Sequence, residues 1–221
     1  MKILITGHSG FIGSNLINKI QDNKKYDILI ITKNKKKHNK KFKYIVSDLN
    51  KIEVHEEKIL NFSPDAVIHL AWQGIPSFSN KICEINYRNT IKLANICKKV
   101  KNLKKFISFG SCLEYKKKNG SCTESDNIDR KSNLSNIKSK IYKDLKILFE
   151  NKNINLIWFR LFYVYGNNQR KGSLIPSIIN SLKKNKSFEF KNPNNAVDYI
   201  NVIDVIELII IALNKNIKIG I

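Results

Sequence analysis

The stretch that decides the fold is residues 3–13, which read ILITGHSGFIG. An apolar run of strand length leads into a turn with glycines at positions 7, 10 and 13, and a helical pattern carrying Leu16, Ile17 and Ile20 follows. A buried strand that feeds a glycine-rich turn and a helix N-terminus exposes backbone N–H groups, to which the helix dipole adds partial positive charge. The stretch therefore predicts a site for the pyrophosphate of a dinucleotide.

Each of these glycines has a different predicted task. Gly7 permits the tight turn, Gly10 removes the side chain that would face the phosphates, and Gly13 lets the helix pack closely against the strand. Their spacing is Gly-x-x-Gly-x-x-Gly, which differs from the Gly-x-Gly-x-x-Gly of the older dinucleotide-binding fingerprint. The position of the motif directly after the first strand favours the functional interpretation over an ordinary strand–turn–helix.

The composition sets the size and the electrostatic character of the protein. With 221 residues, 42% of them hydrophobic, the chain can bury a sizeable core as one domain. Its net charge of +22 attracts polyanionic ligands through the field of the whole molecule. The lysines are spread along the chain rather than gathered in one patch, so we interpret the charge as a compositional bias and expect no specific nucleic-acid binding.

Metal sites and membrane association are not predicted. The cysteines at positions 83, 97, 112 and 122 form no Cys-x-x-Cys pair and have no histidines at metal-ligand spacing, which favours reduced thiols. The longest apolar stretch, residues 205–213, is interrupted by Glu207 and is too short to span a bilayer, so we expect a buried helix there. No signal peptide precedes the first strand, and we expect a cytoplasmic protein.

Further apolar runs of strand length alternate with helical patterns, at residues 28–31, 44–46, 65–70, 106–109 and 155–162. This alternation predicts an α/β fold, a doubly wound parallel sheet of the Rossmann type with helices on both faces. Ligands of such sheets bind beyond the carboxyl ends of the strands, where the glycine turn, Trp72 and Ser111 would converge. We predict a dinucleotide-binding domain over residues 1–165 and a short, curtailed substrate lobe over residues 166–221, packed on the same domain.

The motifs along the chain resemble those of one enzyme family. After the glycine turn come Ser47-Asp48-Leu49, His69-Leu70-Ala71-Trp72, Asn86 with Thr90, and the segments 160–166 and 197–205. In this order they are similar to the extended short-chain dehydrogenase/reductases of the NAD-dependent epimerase/dehydratase family, which act on nucleotide sugars. The resemblance implies NADP or NAD as cofactor. It also implies a cofactor site that consists of Gly7, Gly10, Phe11, Ile12, Gly13, Lys33, Asp48, Leu49, Leu70, Ala71, Trp72 and Lys140.

The choice between the two cofactors depends on Lys33. An acidic residue roughly 20 positions beyond the glycines would hydrogen-bond the adenine ribose of NAD, whereas a basic group accommodates the extra phosphate of NADP. Lys33 therefore predicts a preference for NADP, unless it is simply one more of the 40 lysines and arginines. Two other polar residues are expected to be structural: His69 as a packed core histidine, and Asn86 as a tie between its helix and a strand backbone.

The first catalytic candidate is Ser111. With Tyr115 it keeps the family's spacing of a Ser or Thr four residues before a Tyr, which implies a hydrogen bond to the sugar oxygen that changes between alcohol and ketone. The dehydratase branch of the family has Asp-Glu directly after this serine. Here Cys112 and Leu113 stand there, and because neither performs acid–base chemistry at neutral pH, dehydration is disfavoured.

The family's second catalytic element is Tyr-x-x-x-Lys on the next helix. Ser139-Lys140-Ile141, followed by Asp144, resembles the family's Ser-Lys-Leu-x-x-Glu and assigns Lys140 to the lysine position and Asn136 to the tyrosine position. An amide does not titrate near neutral pH, so we expect weak turnover from a site built on Ser111, Lys140 and Asn136. Tyr142 has the same spacing to a later lysine, and we expect it to face away from the cofactor.

The predicted function is an NAD(P)-dependent nucleotide-sugar epimerase or 4-keto reductase. The alternative is a catalytically impaired family member that binds dinucleotide or nucleotide sugar as a sensor or subunit, which Asn136 and Val197, at the family's arginine position, favour. The expected partner is a nucleotide-sugar substrate, and a homodimer is the assembly considered. The sequence leaves the sugar and the nucleotide open.

Overall fold

The structure is a computed structural model, and it describes residues 1–33, 39–116 and 120–215. The strands in these ranges are β1 (Lys2–Thr6), β2 (Asp27–Thr32), β3 (Lys43–Val46), β4 (Ala66–His69), β5 (Lys105–Ser111), β6 (Asn155–Leu161), β7 (Tyr163–Tyr165) and β8 (Tyr199–Asn201). The helices are α1 (Phe11–Ile20), α2 (Glu56–Phe62), α3 (Asn80–Cys97), α4 (Asn133–Phe149), α5 (Leu174–Lys183) and α6 (Val202–Asn214). Short 3₁₀ segments cover Leu49–His55 and Cys112–Glu114.

The central sheet has the strand order β3-β2-β1-β4-β5-β6, and every neighbouring pair in it is parallel. The chain winds outward from β1 in one direction and from β4 in the other, so the two strands form a topological switch point. This confirms the doubly wound α/β fold predicted from the alternating apolar runs. In such a sheet ligands bind in the crevice that opens beyond the carboxyl ends of the strands at the switch point.

The core lies on both faces of this sheet because successive strand residues point in opposite directions. Ile3 and Ile5 of β1 pack in one cluster with side chains of α1 and α6. Leu4, between them, packs in the opposite cluster with side chains of α3 and α4. Burial on both faces explains why the inner strands are continuous apolar runs rather than alternating ones.

The apolar stretch at residues 205–213 forms most of α6, as predicted. Its buried side chains are Val205, Ile206, Ile209, Ala212 and Leu213, and they cover the same face of the sheet as α1. Among the described residues no helix combines the length and the apolar character needed to cross a membrane.

A second, small sheet lies beyond the end of β6, where β7 pairs in parallel with β8. The adjoining helix α5 has no fully buried side chain. The boundary at residue 165 stays a prediction, but α6, which follows it, packs in the core of the main sheet. The segment after residue 165 therefore contributes both to the small sheet and to the main core.

Candidate active site

The glycine turn forms the start of the site. Gly7 has a φ of 75°, a left-handed conformation that favours glycine, and the N–H of Gly10 donates to its carbonyl at 3.0 Å. A Cβ on Gly13 would lie 2.1 Å from that same oxygen, so only glycine allows α1 to start so close to the turn. Gly10 caps α1 without any side-chain hydrogen bond, which leaves the helix N-terminus accessible to an anion. The tasks predicted for Gly7 and Gly13 match this geometry, and that of Gly10 stays a prediction.

A groove runs from the turn along the ends of the strands; we call it the phosphate groove. It has a volume of about 220 Å³ and is lined by Gly7, Ser9, Gly10, Lys33, Leu49, Leu70, Ala71, Trp72, Gln73, Asn86 and Asn89. Most of the residues that the resemblance assigned to the cofactor thus line one continuous surface. Phe11 begins α1 and Gly13 is buried beneath the turn, so neither is among the residues lining the groove.

Lys33 and Asp48 form an ion pair at one end of the phosphate groove. Their charged atoms lie 2.6 Å apart, and Lys33 Nζ also donates to the Gln73 side-chain oxygen at 3.0 Å. Burial opposes ionisation of Asp48, but hydrogen bonds from Lys33 and Asn50 and the charge of Lys33 outweigh it and lower the pKa of that carboxyl. The lysine assigned to an NADP phosphate is therefore already paired with a carboxylate.

A second cavity of about 220 Å³ opens beyond β4 and β5; we call it the strand-end cavity. Ser108 and Ser111 of β5 line it, facing Leu134, Lys138 and Ile141 of α4. Further lining residues are Ile12, His69, Leu70, Ala71, Trp72, Ile75, Phe78, Thr90, Phe109, Gly110, Trp158 and Leu161. The lining is mostly apolar, and a few polar groups converge within it, which is typical of a small-molecule site.

Trp72 lies where the two spaces meet, because it lines both the phosphate groove and the strand-end cavity. Its indole N–H is buried and has no hydrogen-bond partner among the described residues. The ammonium group of Lys138 lies 3.7 Å from the centre of its ring, within cation–π range. A bulky, polar-tipped side chain thus stands at the junction of the two spaces.

Ser111 is held by a buried carboxylate that the sequence did not single out. Its backbone N–H donates to Glu114 Oε1 at 2.7 Å, and its hydroxyl accepts from the Leu113 N–H at 3.2 Å. Glu114 is fully buried and also accepts from Trp158 at 3.3 Å and from Arg160 at 3.5 Å. Burial raises the pKa of Glu114, while the Ser111 N–H and Arg160 act in the opposite direction. The spacing Ser-x-x-Glu, a capping box, was the available indication.

The structure places the two residues predicted on α4 away from the strand-end cavity. Asn136 and Lys140 are exposed on the far side of the helix, where the Lys140 ammonium lies 4.0 Å from the centre of the Tyr87 ring. Lys138 is the lysine that lines the strand-end cavity, and its Nζ donates to the Phe109 carbonyl at 2.6 Å. Two residues along a helix correspond to a rotation of about 200°, so the two lysines point in nearly opposite directions. Leu134 stands four residues before Lys138, the same spacing as the family's tyrosine and lysine.

Among the described residues lining the strand-end cavity there is no tyrosine. Tyr142 packs against Trp158 with ring centres 5.6 Å apart, and Tyr115 stacks on Phe162 at 6.1 Å. The expectation that Tyr142 does not face the site agrees with this placement. No phenol from this part of the chain replaces the missing one.

The two titratable groups that line the strand-end cavity are His69 and Lys138, and burial lowers the pKa of both. His69 is buried between two threonines, with Nδ1 2.8 Å from Thr6 Oγ1 and Nε2 2.9 Å from Thr90 Oγ1, as expected of a structural histidine. Burial, together with the charge of Lys138, lowers the pKa of His69 to about 3, which keeps it neutral. Loss of water around Nζ lowers the pKa of Lys138 to about 7, although nearby Glu114 opposes this change.

Asn86 supports the boundary between the two spaces. Its side-chain oxygen accepts from the Gln73 N–H at 2.9 Å, and its amide donates to the Gln73 carbonyl at 3.0 Å. The predicted tie from α3 to backbone is thus present, and it reaches the segment just after β4. Both hydrogen bonds hold the chain that carries Trp72.

With this geometry described, the chain can be compared with known proteins. A model of the NAD dependent epimerase/dehydratase family matches residues 3–220. The chain belongs to this family. A provisionally named UDP-glucose 4-epimerase of Methanocaldococcus jannaschii is 28% identical over 227 residues, which are 96% of this chain and 73% of that protein.

Solved structures of family members have the same fold. The UDP-glucuronic acid 4-epimerase of Bacillus cereus, in complex with UDP-glucuronic acid and NAD, superposes with a TM-score of 0.84 at 25% identity, and the match covers 99% of this chain and 75% of that chain. The UDP-glucose 4-epimerase of Thermotoga maritima with UDP-glucose also gives a TM-score of 0.84, at 21% identity, over 98% of this chain and 74% of that chain. The latter likeness concerns the fold alone.

Proposed function

We propose that this protein is an NAD(P)-dependent nucleotide-sugar epimerase that acts on a UDP-sugar; a 4-keto reductase, which uses the same half-reaction, is the second candidate. The observation that carries the proposal is the junction at Trp72, a residue that lines both the phosphate groove and the cavity that holds Ser111 and Lys138. Kinship to the M. jannaschii protein and to the B. cereus UDP-glucuronic acid 4-epimerase supports a UDP-sugar as substrate.

The residues present fit a dinucleotide. The turn at Gly7 and Gly10 would hold the pyrophosphate, and Asp48 with Leu49 would border the adenosine. The unpartnered indole N–H of Trp72, between the groove and the cavity, is a donor that a bound ligand can satisfy. When bound, the cofactor supplies an acceptor for the hydride of a sugar carbon and a donor that returns it.

The chain's own residues would position and enclose the sugar. The Ser111 hydroxyl can hydrogen-bond the reacting oxygen, and its backbone is held in place by the buried Glu114. Leu134, Ile141 and Trp158 give the cavity apolar walls, which exclude water and strengthen the polar contacts made inside it.

We infer that selectivity between NAD and NADP is small. Lys33 is paired with Asp48, so a 2′-phosphate meets a cation whose charge is already compensated. The pair is partly exposed to solvent, and ion pairs at a surface contribute only about 0–1 kcal/mol. The NADP preference expected from Lys33 alone is accordingly reduced by its partner.

The test is a titration of the purified protein with NAD, NADP and a panel of UDP-, CDP-, GDP- and dTDP-sugars, followed by NMR analysis of the sugar products. We expect saturable binding of a dinucleotide and of a UDP-sugar, with slow appearance of a second epimer. Binding of both without any product would favour the sensor or subunit instead. Failure to bind any dinucleotide would contradict the proposal.

A further inference from the structure

The proposed reaction needs a group that takes a proton from the sugar hydroxyl. Neither Asn136, which the resemblance assigns to the tyrosine position, nor Leu134, four residues before Lys138, can do so. The polar side chains lining the strand-end cavity are those of Thr90, Ser108, Ser111, His69 and Lys138, with the indoles of Trp72 and Trp158. Serine and threonine hydroxyls and an indole do not titrate near neutral pH. His69 has both ring nitrogens engaged by threonines, so its ring is held in place and unavailable.

We infer that Lys138 itself exchanges the proton with the reacting sugar hydroxyl through its Nζ, a task distinct from assisting a tyrosine. The inference rests on the proposed function, since it concerns the same cavity and the same sugar. It assigns the acid–base role to the primary amine of Lys138.

The amine of Lys138 lies in the cavity that Ser111 also lines. Lys138 Nζ donates to the carbonyl of Phe109, two residues before Ser111 on β5, and both residues line the same cavity. This hydrogen bond uses one N–H, and the face of Trp72 lies 3.7 Å from the nitrogen. A neutral amine fixed in this way still has a lone pair that can accept a proton, and it lines the same cavity as the serine that would hold the reacting oxygen.

The surroundings allow both protonation states near neutral pH. The groups facing Lys138 are Glu114 from the segment after β5, Cys83 from α3 and His69 from β4, and Arg160 of β6 lies behind Glu114. Glu114 favours the ammonium, His69 is neutral, and the loss of water favours the amine enough to bring the pKa of Lys138 to about 7. A general acid–base works best when its pKa is near the working pH.

In the oxidising direction the O–H bond of the sugar hydroxyl breaks, and its proton forms a new N–H bond with the lone pair of Lys138 Nζ. The O–H electron pair becomes the second bond of the carbonyl, and the carbon's hydrogen leaves with its pair as hydride to an oxidised nicotinamide. In the reverse direction the ammonium returns the proton to the oxygen.

The first test compares three variants in the single-turnover reduction of bound NAD by UDP-glucose or UDP-glucuronic acid. Lys138→Met removes the amine, Lys138→Arg keeps a positive charge that does not titrate, and Lys143→Met is the matched control on the exposed face of α4. We expect the parent rate to rise with pH through about 7 and Lys143→Met to retain that profile. Both Lys138 variants should lose about 10²-fold or more in rate, while NAD affinity changes by less than about threefold.

The second test does not depend on activity. In protein labelled with ¹³C-lysine, the Cε resonance of Lys138 should titrate near pH 7, disappear in Lys138→Met and persist in Lys143→Met. Circular dichroism melts verify that each variant is folded. A rate in Lys138→Arg within about threefold of the parent would show that only the charge matters and would overturn the inference.

A Lys138 resonance that titrates only in the ordinary range of lysines, above about pH 9, would overturn it equally. These results differ from failure of the proposed function. If the parent binds neither a dinucleotide nor a UDP-sugar, both conclusions fall. If the parent binds both ligands and converts the UDP-sugar, but Lys138→Arg converts it at a similar rate, only the inference about Lys138 falls.

Discussion

The phosphate groove and the strand-end cavity adjoin at Trp72, yet they are built in different ways. The groove is shaped mainly by backbone, since the Gly7–Gly13 turn presents N–H groups and tolerates no Cβ at its close contacts. The cavity is shaped by side chains from α4, and its chemistry depends on which residues the helix turns inward. A backbone site is therefore sensitive to loss of glycine, whereas a helix-borne site is sensitive to a rotation of the helix.

The largest expected effect on the phosphate groove is the loss of NAD affinity in Gly10→Val. The extended φ of −75° at Gly10 accepts valine, and a Cβ there would meet only the Gly7 carbonyl, at 3.3 Å, so the fold should persist. The remaining methyl groups would occupy the space of the pyrophosphate, and we expect NAD affinity to fall about 100-fold, the equivalent of one or two lost charge-assisted hydrogen bonds. Calorimetric titration measures this loss.

The matched control for that variant is Gly172→Val, because a Cβ on Gly172 meets nothing within 4 Å. It should bind NAD as the parent does. Equal affinity of the Gly10 variant and the parent would show that the pyrophosphate binds elsewhere.

In the strand-end cavity, Leu134→Tyr is expected to increase activity rather than reduce it. A phenol four residues before Lys138 would lie on the same side of α4, beside Ser111, and add a second acid–base group. We expect turnover to rise about tenfold, at the low end of what such a group contributes after some cost in packing. Product formation followed by NMR measures the change.

Asn136→Tyr tests the same idea from the other side of the helix. Because Asn136 is exposed and turned away from the cavity, this variant should match the parent. A gain in Asn136→Tyr without one in Leu134→Tyr would mean that α4 is rotated relative to the structure.

Much of the fold and half of the site were predictable from the sequence, for a physical reason. Buried parallel strands are read as apolar runs, and a backbone turn is read from its glycines, so β1, the sheet and the phosphate groove followed directly. Which lysine of α4 lines the cavity did not follow from the sequence, because Lys138 and Lys140 flank the same serine in a lysine-rich chain. A helical wheel centred on the buried Leu134, Ile141 and Leu145 places Lys138 about 40° from the stripe and Lys140 about 120° away.

Two other features needed the structure. Glu114 lies in a short 3₁₀ segment, and its burial beneath Ser111 follows from tertiary packing with Trp158 and Arg160. The pairing of Lys33 with Asp48 joins residues from two strand ends, and no local pattern indicates it.

The smallest expected effect sharpens the description of the groove. Asp48→Asn keeps an oxygen that can accept from the Asn50 N–H, as Asp48 does at 3.0 Å, but frees Lys33 from its ion pair. We expect NADP affinity to rise about threefold relative to NAD, in line with the small free energy of an exposed pair. Lys33→Asp should move the ratio the other way. Unchanged ratios in both variants would exclude this pair from contact with the ribose phosphate.

The most direct test of the account asks which lysine of α4 faces the bound ligands. The protein is acylated at its amines with and without NAD and UDP-glucose, and the modification of each lysine is read by mass spectrometry. We predict that the ligands slow the acylation of Lys138 at least about tenfold and change the acylation rate of Lys140 by less than about twofold, because the cavity lies on one side of the helix. Protection of Lys140 with no change at Lys138 would contradict it.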